Sequence, residues 1–220
     1  MIDSKDLKRT GSRLAALLAG CFFLLPGKAQ DNSDFSLWSK LKAEHKVTKA
    51  FALTAGAEFR TKEQFKEVDR WAAIISGSYR LLPAVKVDAG YEFHYRYRNE
   101  KGWKTRHRYY LGGTGELRLS QIKLSLRERF QQTWDKDKTD YHLRSRLKAA
   151  YVPRRGSVSP YASIEIYNKL NDGFDLSRTR YRAGASWEMS SQWKLDLYYM
   201  YQSETDRKKH VMGVEFNYHF

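Results

Sequence analysis

Long stretches of the chain alternate between apolar and polar residues with a period of two. From Val85 to Arg98, every second residue is Val, Ala, Tyr or Phe, and the residues between them are mostly charged. Similar alternation runs from Tyr141 to Val152 and from Arg180 to Met189. Because successive side chains of a β-strand point to opposite faces, each stretch predicts a strand with one apolar and one polar face. Helical spacing fits none of them.

The length of these segments and the pattern of their connections predict the class of fold. Crossing a membrane takes a strand of about 9–11 residues, whereas strands of soluble proteins average about five or six. Most segments reach the longer figure. Short connections near 47–49, 82–84, 120–121, 153–157 and 190–192 alternate with longer charged ones near 61–69, 99–104, 135–140, 169–176 and 204–209. Such alternation is typical of an all-β, transmembrane, antiparallel up-and-down β-barrel with short periplasmic turns and longer external loops.

The sequence predicts the class of fold but is compatible with more than one number of strands. Eleven segments can be counted, starting near residues 36, 50, 69, 85, 105, 122, 141, 158, 178, 193 and 210. Single-chain bacterial barrels have even numbers of strands. We therefore expect about 10–12 strands: ten if the first segment, 35–46, is not a full membrane strand, and twelve if one strand has been overlooked.

The N-terminal residues have the features of a secretion signal. A basic start precedes an apolar run, Leu14 to Leu25, that is too short to span a bilayer as a helix. Small residues around Ala29 predict cleavage there, which divides the chain into a signal peptide at 1–29 and a barrel domain at 30–220. Alternatively, Cys21 follows Leu-Ala-Gly and could be the lipidated residue of a lipoprotein. Cleavage near Ala29 would leave no cysteine, and hence no disulfide or thiol chemistry.

The C-terminal segment predicts both location and assembly. It alternates from His210 to the last residue, Phe220, and places five apolar residues on one face: Met212, Val214, Phe216, Tyr218 and Phe220. A terminal strand of this kind resembles the assembly signal of bacterial outer-membrane barrels. We therefore expect the bacterial outer membrane as the location, its lipids and lipopolysaccharide as surroundings, and recognition by the barrel-assembly machinery through the strand that ends at Phe220.

The net charge of the chain indicates which classes of partner it could bind. The formal net charge is +15, and removal of residues 1–29 would leave about +12. Such a balance usually indicates nucleic acid or another anionic surface as a partner. Because an exported protein does not meet nucleic acid, lipid phosphates and small anions are the expected partners.

The polar faces of the predicted strands would line the lumen, where basic residues outnumber acidic ones. The candidate lumen charge network is Glu92, Arg96, Arg106, Arg108, Glu116, Arg127, Arg129, Arg144, Arg146, Arg180, Arg182 and Glu215. Rings of Arg and Lys favour anions because each guanidinium presents a fixed fork of donors to phosphate or carboxylate. In a small barrel, the same side chains can instead fill the lumen as an Arg–carboxylate plug. The sequence leaves both alternatives open.

The aromatic residues have a simpler interpretation as anchors at the membrane interface, where the ring is buried and the polar edge stays in water. We expect the following aromatics near strand ends or on outward faces: Tyr91, Tyr95, Tyr97, Trp103, Tyr109, Tyr110, Trp187, Trp193, Tyr198, Tyr199 and Tyr201.

Motifs for enzyme chemistry are weak. There is no GxSxG and no metal-ligand spacing of His and Cys, and the acid–base pair of His94 with Glu92 is more typical of a structural ion pair. We predict no catalytic residue, cofactor or metal. The expected function is that of a structural or binding barrel, or of a narrow anion-preferring channel. The alternatives are a lipid- or lipopolysaccharide-modifying outer-membrane enzyme and, more distantly, a secreted polyanion-binding β-protein.

A series of short motifs occurs in order along the mature chain. They are Asp34–Trp38, Gly90-Tyr91, Arg106–Arg108, Arg127–Arg129, Leu143–Leu147, Pro160–Glu165, Arg180–Gly184, Tyr198–Tyr201 and the closing Phe220. With these motifs, nearly all of the mature chain resembles the uncharacterised bacterial outer-membrane family named domain of unknown function 2490. The resemblance implies an exported β-barrel, and the name of the family assigns no activity.

Overall fold

The computed structural model describes residues 33–98, 102–136, 138–171, 173–205 and 207–220. These residues form eleven β-strands: β1 (Ser33–Lys46), β2 (Phe51–Lys62), β3 (Glu67–Leu82), β4 (Val85–Arg98), β5 (Gly102–Leu119), β6 (Ile122–Asp135), β7 (Lys138–Tyr151), β8 (Val158–Lys169), β9 (Asp175–Glu188), β10 (Trp193–Glu204) and β11 (Lys208–His219). The predicted signal peptide at 1–29 and the alternative lipidation site Cys21 lie outside the described residues.

The strands form one closed barrel with up-and-down topology. Each strand pairs in antiparallel fashion with the next along the chain, and β1 lies beside β11 to close the cylinder. Every strand begins within about three residues of its predicted start, because the period-two pattern marks both faces of each strand. The predicted all-β barrel is confirmed.

The pair that closes the barrel is parallel. Lys209 reaches Asp34 at 2.7 Å, Glu215 reaches Lys42 at 2.9 Å, and the backbone N–H of Phe220 donates to the carbonyl of Glu44 at 3.0 Å. Residue numbers therefore rise together on β11 and β1. An odd number of strands requires this, because ten successive antiparallel pairs leave the first and last strands pointing the same way. Eleven strands lie within the expected 10–12, but the expectation that the number is even is wrong: β1 is a full strand and all eleven segments form strands.

The connections differ from the prediction at one end. All ten connections, at both ends of the barrel, are two to six residues long, so the expected contrast between short turns and longer external loops is not seen. The physical reason is that the strands continue into the charged segments. For example, β6 ends at Asp135 and β7 begins at Lys138, where the sequence suggested a loop.

The two faces of the wall differ in polarity. Large apolar side chains such as Leu111, Ile75 and Leu126 are exposed on the outside. Tyr95, Trp103, Tyr109, Trp187 and Trp193 of the predicted aromatic anchors are also exposed. Inside, five of the buried apolar residues form a cluster: Trp38, Tyr161, Tyr198, Met200 and Val211.

Two of the predicted outward aromatics point inward instead. Tyr110 and Tyr198 are buried and line the interior, so their assignment to the membrane interface was wrong. Each lies across from a glycine of a neighbouring strand, Gly90 for Tyr110 and Gly213 for Tyr198. A Cβ at Gly213 would lie 1.9 Å from Cζ of Tyr198. The missing side chain of the glycine is therefore what lets the ring lie flat on the inner wall.

Candidate functional site in the lumen

A cavity of about 700 Å³ lies inside the barrel and receives side chains from all eleven strands. Seventeen Lys and Arg side chains line it, against eight Asp and Glu side chains. The alternation of each strand produces this lining, because the polar face of every strand turns inward when the apolar face turns out. Positive charge therefore prevails in the lumen.

Glu165 on β8 is the most heavily shared acid of this lining. Its Oε1 accepts hydrogen bonds from Arg127 at 2.5 Å and from Arg144 at 3.1 Å, and its Oε2 accepts one from Tyr167 at 3.0 Å. Arg180 also lies 3.5 Å from Oε2 and donates to the hydroxyl of Tyr167. One buried carboxylate thus holds three guanidinium groups from β6, β7 and β9.

Glu92 on β4 organises a second cluster. It accepts a hydrogen bond from Arg108 at 2.8 Å, and the Nε2 atom of His94 lies 2.9 Å from the same Oε2 atom. The Nδ1 atom of His94 lies 3.4 Å from Arg70, and its side chain is about 1% exposed. Because both ring nitrogens are engaged and the ring is buried, His94 acts as a structural member of an ion-pair cluster.

A third cluster lies on β2 and β3. Glu58 binds Arg60 at 2.6 Å and Lys40 at 3.0 Å, and the Arg60 guanidinium stacks over the ring of Trp38 at 3.4 Å. In the same cluster, Asp69 binds both Arg70 and Arg96 at 3.0 Å. These contacts tie the polar lining to the aromatic cluster.

The structure places the sequence-predicted residues as follows. Those that line the cavity are Glu92, Arg108, Glu116, Arg127, Arg129, Arg144, Arg146, Arg180, Arg182 and Glu215. Arg96 and Arg106 do not line it, and instead bind Asp69 at 3.0 Å and Asp135 at 3.1 Å. The two outliers lie towards the ends of their strands, beyond the part of the inner wall that encloses the cavity.

Sequence reasoning missed several inward charges. Glu58 and Arg60 share the phase of Thr54 on β2, but the small residues 55–57, between Thr54 and Glu58, weaken the apolar alternation that would mark the faces. A register shift at Arg60 and Thr61 then breaks the phase next to Asp69. Glu165 could have been found, since it is two residues from Ser163 within an alternating segment.

The described residues give the enzyme alternative no support. No group of three or more His, Cys, Asp or Glu residues in this part of the chain could hold a metal ion. The described hydrogen bonds between histidines and hydroxyl groups join His107 to Tyr91 and His210 to Tyr199, and pair no histidine with a serine nucleophile. In the part of the chain that the structure describes, no helix is long and apolar enough to cross a bilayer.

Comparison with known proteins places the chain in a family. It is similar to a solved structure described as KdgM porin, with a TM-score of 0.48 and 14% identity over 78% of this chain and 86% of that chain. It is also similar to the beta domain of the Bordetella autotransporter Brka, with a TM-score of 0.44 and 11% identity over 77% of this chain and 81% of that chain. No curated protein matches it. The profile of the family described as "Protein of unknown function (DUF2490)" matches residues 35–212, so the resemblance expected from the motifs is confirmed and the chain belongs to this family.

Proposed function

We propose that this protein is a barrel of the bacterial outer membrane and acts there as a narrow, anion-preferring channel. The outward face supports a membrane position, because its exposed side chains include Leu41, Leu53 and Leu147 as well as rings near strand ends. The strands are 12–18 residues long, which exceeds the requirement for crossing a membrane, about 9–11 residues.

The excess of lumenal cations is the observation that carries the proposed selectivity. Seventeen basic side chains against eight acidic ones surround one cavity, so an anion in the lumen meets a positive potential and a cation is repelled. The low-dielectric wall focuses this field along the lumen. Arginine adds directional donors that can replace part of the hydration shell of an anion.

The membrane position can be tested first. Cells that express the full chain are fractionated, and the protein is run on gels with and without boiling. We expect it in the outer-membrane fraction, with a faster band before boiling because a closed barrel resists unfolding by detergent. Recovery as a soluble periplasmic protein would contradict the proposal.

Ion selectivity is then measured in planar bilayers with protein purified in detergent from such cells. Under a KCl gradient, we expect a reversal potential that indicates preference for chloride. Arg182→Gln removes a lumenal charge and should lower this preference, whereas Arg154→Gln removes an exposed charge of the β7–β8 connection and should change it less. A preference for potassium would overturn the proposed selectivity.

A second candidate is a closed barrel that binds or supports but does not conduct. The ion pairs centred on Glu165 favour it, because they join β8 to β6, β7 and β9 and fill space along that side of the lumen. The aromatic cluster around Trp38 also fills interior volume. A stable outer-membrane barrel without measurable conductance would support this candidate over the channel.

A further inference from the structure

Two arginine pairs face each other directly across β6 and β7. In the register of these strands, Arg127 lies opposite Arg146, and Arg129 lies opposite Arg144. Opposite residues of an antiparallel pair have Cβ atoms about 4.5–5.5 Å apart, and like charges at such positions repel. All four side chains line the cavity, and we call them the arginine quartet.

The acids beside the quartet neutralise only part of its charge. Asp88 accepts from Arg129 at 2.6 Å, and Glu165 accepts from both Arg127 and Arg144. Glu165 is also shared with Arg180 outside the quartet. Four positive charges therefore face two carboxylates, and at least two positive charges are left over.

The quartet also contains buried donors that have no hydrogen-bond partner. The Nε atoms of Arg127, Arg129, Arg144 and Arg146 are all buried and have no hydrogen-bond partner among the described residues. Arg146 lies directly opposite Glu165 in the register of β7 and β8. The described hydrogen bonds that Glu165 accepts nevertheless come from Arg127, Arg144 and Tyr167. Buried donors without partners are destabilising, so the quartet carries positive charge and donors that the described residues do not fully compensate, and an anion in the cavity would offset that charge.

Neighbouring residues pack closely against Arg129 and leave no room for a side chain opposite it. Gly112 lies opposite Arg129 on β5, and a Cβ there would lie 3.0 Å from Oδ1 of Asp88 and 3.5 Å from the Cβ of Arg129. Tyr110 packs against Arg129, with the centre of its ring 3.8 Å from the guanidinium carbon. Lys148, the next inward residue after Arg146 on β7, adds a further cation held over the ring of Tyr161 at 3.6 Å.

We infer that the arginine quartet is a saturable binding site for a divalent oxyanion of the phosphate type. Such an anion carries the two negative charges that the quartet lacks, and its several acceptor oxygens match the forked donors of arginine. Chloride offers one charge and no directional acceptor geometry. The inference deepens the proposed function and depends on it in one respect, that the anion reaches the quartet through an accessible lumen.

The test measures binding of inorganic phosphate to the purified full chain in detergent, without lipids. Calorimetric titration and thermal unfolding are compared in phosphate and in KCl at equal ionic strength. We expect saturable binding of phosphate, and a rise in the unfolding midpoint that KCl does not produce. Equal effects of phosphate and KCl would overturn the site.

The variant Arg146→Gln distinguishes between two interpretations of the arginine quartet, a binding site and a structural plug. Loss of one charge-assisted donor should weaken phosphate binding by about ten- to a hundredfold, while the unliganded barrel becomes no less stable because a repelling charge is gone. Arg146→Lys keeps the charge without the fork and should retain part of the affinity. Arg154→Gln, which removes an exposed arginine of the β7–β8 connection, should bind like the original chain. Unchanged affinity in Arg146→Gln, or a loss as large in Arg154→Gln, would contradict the assignment.

Conductance distinguishes failure of the site from failure of the channel. If the barrel binds phosphate saturably but carries no current, the binding site is supported and the proposed channel is contradicted. If the barrel prefers chloride to potassium but phosphate has no specific effect, the channel is supported and the binding site is contradicted.

Discussion

Lys42 and Glu215 form an ion pair, with 2.9 Å between Nζ and Oε2, across the parallel seam where β1 meets β11. The two residues lie 173 positions apart in the chain. Arg182 lies 3.8 Å from the other oxygen of the same carboxylate. Glu215 therefore connects β11 both to Lys42 on β1 and to Arg182 on β9.

Glu215→Gln should weaken this seam. The substitution leaves Lys42 and Arg182 without their counter-charge while the packing is kept, and we expect a loss of about 1–2 kcal/mol in the free energy of unfolding. Urea unfolding in detergent, followed by the gel mobility of the unboiled protein, measures it. Glu116→Gln is the matched control, because the Glu116–Lys123 pair is more than 40% exposed on both sides and should contribute less than about 1 kcal/mol. Equal losses in the two variants would contradict the role of the seam.

Glu165→Gln should be more damaging. It leaves Arg127, Arg144 and Arg180 in a buried cluster without a negative charge, and we expect a cost of about 3–5 kcal/mol in the free energy of unfolding. The double change Glu165→Gln with Arg144→Gln removes one of the repelling charges and should recover part of that loss. A double variant less stable than the single variant would show that repulsion among the arginines is not the cause.

Gly213→Ala should prevent the folding of the barrel. The new Cβ would overlap the ring of Tyr198, which lies on the inner wall between β10 and β11. Gly213→Ala combined with Tyr198→Ala removes the overlap and should restore a heat-modifiable band. Gly113→Ala is the control, because its Cβ would meet nothing within 4 Å. Normal folding of the single Gly213→Ala variant would contradict the close packing.

Glu128→Leu should stabilise the barrel in a membrane. Glu128 is an exposed carboxylate in the middle of the outward face of β6, where its Oε2 accepts a hydrogen bond from Ser145 at 2.5 Å. If this face meets lipid, removal of the charge should raise the free energy of unfolding in vesicles by about 1–2 kcal/mol. Ser145→Ala should lower stability in the original chain, because it removes the hydrogen bond to Glu128. In a chain that already carries Glu128→Leu, Ser145→Ala should have no effect. No gain in vesicles would argue against lipid contact at this position.

Much of the fold could be predicted because each strand carries its own signal. The alternation of β4 marks its two faces whatever the strand lies beside, and the same holds for β7 and β9. Tyr110 and Tyr198 were misplaced for a related reason. Aromatic residues are common at the membrane interface, so composition favoured that position. The phase of the strand decides instead: Tyr110 lies two residues from the inward Arg108 on β5, and Tyr198 lies four residues from the inward Lys194 on β10. The glycines across from the two rings leave the room that they need.

The lumen charges were predicted more readily than their partners. The phase of a residue within its own strand places Arg127 and Arg146 inside, and the count of cations over acids follows from the same phase. The register of β6 against β7 brings them face to face, and that register is set by the short turn between Asp135 and Lys138 together with the inward and outward faces of the two strands. The role of Glu165 likewise arises only when β6, β7 and β9 converge on β8.

By itself, the sequence determined that this protein is a series of long amphipathic strands with a basic lumen, because side-chain alternation is a local property of the backbone. The tertiary structure alone decided that eleven strands close with a parallel seam, and that Lys42 meets Glu215 there. The physical reason is that closure and ion pairing depend on the relative register of strands far apart in the chain, which no local pattern encodes.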